Sequence, residues 1–348
     1  MKLKIYLIIF LLTAVSTLHA QKAYFINDFM KGYTLYFVRD TTNSEIKEYY
    51  KLTENESKKI ALEYGTKELS TPQINKTAKT TTFKSISNKN ISVLGDVNFD
   101  GRPDIIIFYP ELFDEGCYSP QATASIFINT PAGFVPSPNI SSIYDNTHCV
   151  RGGSFEINPK YKRIITSSSG GAALHGIEHF TVTGKEAKML SSYVEDGFVE
   201  GPFSQITGKR WENNQYVPFT SLSLYESSLN ERKLLAFDTK NGKGRVILFK
   251  ADNILYYAFQ QNDEYKFVSF AHPSSPEKAG KAIFKFRKQN ADYELEFNSG
   301  NIKYLIYETP NAVGIKINVN GKISDWQGMD KEGTLSSLTN AKFVNLVK

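Results

Sequence analysis

The chain has 348 residues, with 41 basic against 36 acidic side chains and 41% hydrophobic residues. Setting Lys2 and Lys4 aside leaves 39 basic side chains against the same 36 acids, a net charge of +3 scattered too evenly for nucleic-acid binding. The length suits two domains. No stretch after the first twenty residues is long and apolar enough to predict a membrane helix.

Lys2 and Lys4 precede an eleven-residue apolar run, Ile5 to Val15, and Ser16-Thr17-Leu18-His19-Ala20 offers a small residue for cleavage. That three-part pattern predicts a secretory signal over residues 1–20, its core too short to span a bilayer. No Cys precedes Cys117, so a lipid anchor on an N-terminal Cys is not expected. The mature chain is expected to be soluble in the periplasm, with secretion as the alternative.

Residues 21–90 read as an N-terminal segment packing on the first domain. Tyr33 to Val38 has the Tyr, Phe and Val content of a strand. Glu54 to Glu63 predicts a helix, from its polar start, the Ile60-Ala61-Leu62 run and Gly65 as a stop. The Lys/Thr/Asn-rich stretch from Thr71 to Asn90 reads as a long loop or a loosely ordered strand pair.

Asp96-Val97-Asn98-Phe99-Asp100-Gly101-Arg102-Pro103-Asp104 places side-chain oxygens at positions one, three, five and nine of a loop. Calcium takes six to eight oxygens, and alternating ligands let one loop wrap it. Gly101 supplies a sharp turn, so that the Arg102 carbonyl becomes a further ligand. Three carboxylates so close repel one another without a cation. Ile91 to Leu94 before the loop and Ile105 to Phe108 after it read as strands, and Ile107 stands where an EF-hand has its Glu. The prediction is an EF-type calcium loop in a β setting, with Asp96, Asn98, Asp100, Arg102 and Asp104 as ligands. Glu111, Asp114 and Glu115 read as a solvated loop that could add one oxygen to it.

Cys117 and Cys149 are the only cysteines. In an oxidising compartment an even pair predicts a disulfide, worth roughly 3–4 kcal/mol by chain-entropy arguments. That bridge would consume the thiol of a Cys149–His148 pair. Lys160 to Arg163 reads as a solvated turn. Ser167-Ser168-Ser169-Gly170-Gly171 forms a small-residue loop with no core pattern and no nucleophile elbow. His175-Gly176-Ile177-Glu178-His179 matches the H-x-x-E-H pattern of zinc peptidases, whose chemistry needs a helix. Its glycines and the following Phe180 to Thr183 read as loop and strand instead, which would put Glu178 on the face opposite to His175 and His179.

A composition change at Trp211 to Phe219 marks the expected domain boundary, giving residues 91–215 and 216–348. Strands are expected at Gly244 to Phe249, Ile254 to Phe259, Lys281 to Lys288, Tyr293 to Phe297, Ile302 to Glu308 and Val313 to Val319. Asn298-Ser299-Gly300 and Asn320-Gly321 read as hairpin turns. The predicted class is all-β and mainly antiparallel. A calcium-loop domain, propeller-like or a sandwich, precedes a second small sandwich or barrel.

Leu94 to Asp104, continued by Ala124 to Asn129, Gly133-Phe134, the Ser/Gly loop and Ile177 to Val182, resembles FG-GAP-like periplasmic proteins with a single calcium loop. That group includes immunity proteins against lysozyme-like effectors and is similar in fold to lysozyme inhibitors. The resemblance spans roughly residues 90–200. It implies calcium on the five ligands above and a partner-blocking loop formed by Ser167, Ser168, Ser169, Gly170, Gly171 and His175. Its implied partner is a secreted envelope-targeting hydrolase or toxin, bound rather than catalytically transformed. In the second half, Glu296 to Tyr304, Gly314 to Gly321 and Gly333 to Leu338 resemble small envelope β-domains, a resemblance that implies no further function. The rival expectations are a zinc-dependent hydrolase using His175, Glu178 and His179, and a structural or adhesive envelope module.

Overall fold

The computed structural model describes residues 22–40, 47–65, 78–81, 90–109, 117, 123–198, 201–224 and 232–348. The signal pattern, most of Thr71 to Asn90, and the carboxylates Glu111, Asp114 and Glu115 lie outside the described residues. The fold is all-β and mainly antiparallel, with no helix among the described residues long and apolar enough to cross a membrane.

The first strands are β1 (Lys22–Met30), β2 (Tyr33–Asp40), β3 (Lys47–Glu54), β4 (Ile60–Gly65) and β5 (Lys79–Thr81), hydrogen-bonded in the order 4-3-2-1-5. Next come β6 (Ile91–Gly95), β7 (Asp104–Phe108), β8 (Ala124–Thr130) and β9 (Gly133–Pro136), a four-stranded meander in chain order, and helix α1 (Pro138–Cys149). The chain continues through β10 (Ser154–Asn158), β11 (Arg163–Ser169), β12 (Leu174–Thr183), β13 (Glu186–Asp196), β14 (Phe203–Glu212) and β15 (Gln215–Leu224). Then follow β16 (Lys233–Thr239), β17 (Gly244–Ala251), β18 (Ile254–Gln261), β19 (Val268–His272) and β20 (Phe284–Gln289). The last strands are β21 (Asp292–Ser299), β22 (Ile302–Thr309), β23 (Ala312–Val319), β24 (Lys322–Gly333) and β25 (Leu346–Val347). From β10 on, the order is 10-11-12-13-14-15-19-18-17-16-24-23-22-21-20-25, and the sheet does not close into a barrel.

The chain divides into two compact units, residues 1–150 with 157–164 and 181–188, and residues 151–156 with 165–180 and 189–348. Trp211 to Phe219, where the composition changes, lies instead at the turn end of the β14–β15 hairpin. There Trp211 pairs with Tyr216 across Asn213 and Asn214, both at positive φ.

The core of the first unit is a two-sheet sandwich. Ile26, Leu35, Phe37, Tyr50 and Leu52 of one sheet meet Ile91, Ile105, Ile107, Phe127 and Phe134 of the other. β7 is the innermost strand: Ile105, Ile106 and Ile107 are all buried, as their unbroken apolar run predicts. Where β9 passes β4, a Cβ on Gly133 would stand 2.8 Å from the Ala61 carbonyl oxygen, and its φ of +122° also excludes ordinary side chains.

Two expectations are corrected here. Glu54 to Glu63 is not a helix: Glu54 ends β3, Lys58 takes a φ of +58°, and Ile60 opens β4, which pairs Leu62 with Leu52. Burial of Ala61 and Leu62 in the sandwich overrides the local helical signal. Conversely, Pro138–Cys149 is a helix that the strand-rich reading passes over. Ser137 caps it through the Ile140 N–H, Pro138 occupies its first turn, and Ser141 Oγ accepts the Ile126 N–H of β8 at 2.8 Å.

Cys149, the last residue of α1, is joined to Cys117, with S–S 2.02 Å and Cα–Cα 4.1 Å. In the second unit β16–β18 are covered on both faces. Val246, Leu248 and Tyr257 pack with Phe284, Leu295 and Phe297, while Ile247, Phe249 and Tyr256 pack with Phe203 and Leu224.

Double replacement of Cys117 and Cys149 by Ser lowers unfolding stability by about 3–4 kcal/mol, read from urea unfolding with the slope fitted for each protein, because freeing the unfolded chain steepens it. Gly133→Ala destabilises by roughly 1–3 kcal/mol in the same assay, because the methyl group meets main chain.

Candidate functional site

Residues 96–103 connect β6 to β7, which pair from Ile91↔Ile107 to Gly95↔Asp104. Val97 and Asp104 have no exposed surface, so the loop is anchored near both ends. Phe99 at φ +61° and Gly101 at φ +89° wind the chain between them.

The winding turns the acidic side chains back onto the loop's own N–H groups. Asp96 accepts Asp100 N–H on Oδ1 at 3.0 Å and Gly101 N–H on Oδ2 at 2.7 Å. Asn98 Oδ1 also accepts the Asp100 N–H, at 3.3 Å. Asp100 accepts Arg102 N–H at 2.9 Å on Oδ1, while its Oδ2 takes Arg102 Nη2 at 2.6 Å and Asn98 Nδ2 at 3.0 Å. Asp104 accepts Val97 N–H at 2.7 Å and Asn129 N–H at 2.8 Å. Burial pushes the Asp104 carboxyl up to about 6, and the charges of Asp100 and Asp96 add to the rise; the two N–H groups oppose it.

The residues present suit calcium in kind. Three carboxylates, the Asn98 amide and the Arg102 carbonyl are hard oxygen donors. One guanidinium against three carboxylates leaves a formal charge of about −2 when all are ionised, which a divalent cation balances. Their arrangement is not a ready cluster: among the described residues no three Asp, Glu, His or Cys side chains converge as metal ligands. Each carboxylate rests on separate N–H groups, so holding a cation at Asp100 requires Arg102 to release it.

One participant has no signature in the loop sequence. Asn129, on β8, accepts Arg102 Nε at 2.9 Å through its carbonyl and donates Nδ2 to the Pro103 carbonyl at 3.3 Å. Its Oδ1 is buried and has no hydrogen-bond partner. Only the β7–β8 pairing, Ile105↔Phe127, brings residues this distant in sequence together.

The Ser/Gly segment is the end of the β11–β12 hairpin. Ser167, Ser168 and Ser169 finish β11, Gly170 and Gly171 form the bend, and His175 lies on β12. Ser169 Oγ donates to the Gly171 carbonyl at 2.8 Å, Gly170 N–H to the Leu174 carbonyl at 2.8 Å, and Gly197 N–H to the Ala173 carbonyl at 2.7 Å. Ser167 Oγ also bonds Ser154 Oγ at 2.6 Å. The bend is therefore held from inside and from its sides.

The H-x-x-E-H segment is a strand, so His175 and His179 stand about 13 Å apart along it. His179 is buried against Tyr265, with ring centroids 4.7 Å apart, and Glu264 lies 4.0 Å from its Nδ1. Glu178, on the other face, accepts Ser192 Oγ at 3.4 Å. The three side chains do not share a site. Elsewhere in the second unit Arg245 pairs with Asp238 and Glu332, and Lys233 with Glu332, along a cavity of about 480 Å³. These charges answer one another, and no sequence motif marks them.

No family model and no curated protein matches the chain. Among solved structures, a Xanthomonas type IV secretion system related protein is similar at 14% identity, with a TM-score of 0.36 over 58% of this chain and 97% of that one.

If the loop holds calcium, the expected outcome is that millimolar calcium raises the melting temperature of the wild-type protein over that in EDTA, by about 4 °C or more at 100 times its Kd. Asp100→Ala removes the difference. Equal melting curves for the wild type in calcium and EDTA refute a structural site.

Proposed function

We propose that the chain is an exported calcium-loop protein that works by binding another protein. The proposed partner is a secreted cell-wall or envelope hydrolase, which it neutralises as an immunity protein or inhibitor. The observation that carries the binding role is the internally bonded β11–β12 hairpin end. Ser and Gly let main chain approach a partner's cleft closely, and a loop already held by Ser169, Gly170 and Ala173 loses little entropy on docking. The Cys117–Cys149 bridge supports an oxidising location. The charge on Asp96–Asp104 supports calcium as the ion that stiffens the first unit.

The test is inhibition of a purified envelope muramidase or peptidase, titrated to a one-to-one end point. Gly171 has a φ of +148°, which would strain any side chain placed there, so the bulky probe belongs at the exposed Ala172. Ala172→Trp and His175→Ala each weaken inhibition at least about tenfold, with calcium binding and melting temperature unchanged. Full inhibition by both variants moves the interface away from this loop.

A further inference from the structure

We infer that Asn129, outside the calcium loop, supplies a further oxygen to the cation held by Asp96–Asp104. This rests on the calcium reading above and extends it to a second strand.

Asn129 is 2% exposed, yet its side-chain Oδ1 has no hydrogen-bond partner. A buried acceptor left without a donor is costly, and such a group in a folded chain calls for a specific explanation, an ion or an ordered water among them. The rest of the residue is pinned to the last three loop positions. Its carbonyl receives Arg102 Nε, its N–H reaches Asp104 Oδ1, and its Nδ2 reaches the Pro103 carbonyl. The amide cannot be turned over without setting Oδ1 against the Pro103 carbonyl, two acceptors face to face. The atom left over beside the loop is therefore an oxygen.

Counting donors gives that oxygen a role. The loop offers Asp96, Asn98, Asp100, the Arg102 carbonyl and Asp104, whereas calcium takes six to eight oxygens. Ile107, at the twelfth position, is buried in β7 and supplies none. An amide oxygen from β8 makes up part of the deficit, and the ion then ties the β6–β7 loop to β8 as well as closing the loop on itself.

The experiment is calcium titration of the full chain, by calorimetry and by terbium luminescence, for wild type, Asn129→Leu, Asn129→Ala and Asp100→Ala. Asn129 contacts Arg102 and Asp104 through main-chain atoms, which both of its variants keep. Asn129→Leu is expected to weaken calcium binding about tenfold or more. Asn129→Ala removes the same oxygen with a smaller side chain and is expected to weaken calcium binding to a similar degree. Wild-type affinity in Asn129→Leu or in Asn129→Ala overturns the inference. If Asn129→Leu does not fold, Asn129→Ala decides alone. Absence of binding in the wild type overturns the calcium reading itself; binding that is lost in Asp100→Ala and unchanged in both Asn129 variants overturns only the role of Asn129.

Discussion

The carboxylate of Asp104 is the constraint around which the first unit is arranged. It has no exposed surface, and its two oxygens receive N–H groups from the start of the loop and from β8. One side chain thereby fixes the loop, the strand it begins and the neighbouring strand. The geometry carries an electrostatic cost, because burial and the charges of Asp96 and Asp100 raise its carboxyl from 3.8 to about 6. A carboxyl raised in the folded state favours folding most at low pH, and that contribution falls as pH rises from about 4 through 6. Arg102 offsets part of the loop's negative charge from within the chain by pairing with Asp100.

The second unit is built on a different principle. Its central strands β16–β18 carry large side chains on both faces, so neither face is left to water. Rings run through one of the two cores: Phe297 lies parallel to Tyr304 at 4.8 Å, and Phe270 stacks on Tyr304 at 5.2 Å. This explains why Val246-Ile247-Leu248-Phe249 and Leu255-Tyr256-Tyr257 are continuous apolar runs where a half-exposed strand would alternate.

Such runs, with the turn residues between them, are what made the β architecture legible from sequence. Local signals failed where the decisive contact was remote. Glu54 to Glu63 has helical content, but the pairing of Leu62 with Leu52 and the burial of Ala61 under the second sheet govern it. Helix α1 buries only Ile140 and Tyr144 among its large apolar residues, too few to set up a visible period. Asn129 was invisible because its importance lies in contacts with residues some 25 positions away. In the H-x-x-E-H segment, by contrast, strand alternation alone separated Glu178 from the two histidines.

The order of strands in the second unit also bears on how the chain comes to be folded. β16 pairs with β24, Ala236 lying opposite Glu332, and the Asn345 side chain bonds the main chain of Leu255 on β18. These contacts join residues about ninety positions apart, so this core cannot close until residues past 330 have been synthesised. High contact order of this kind slows folding. The central strands of this unit therefore gain their last partners only when the end of its sequence is present.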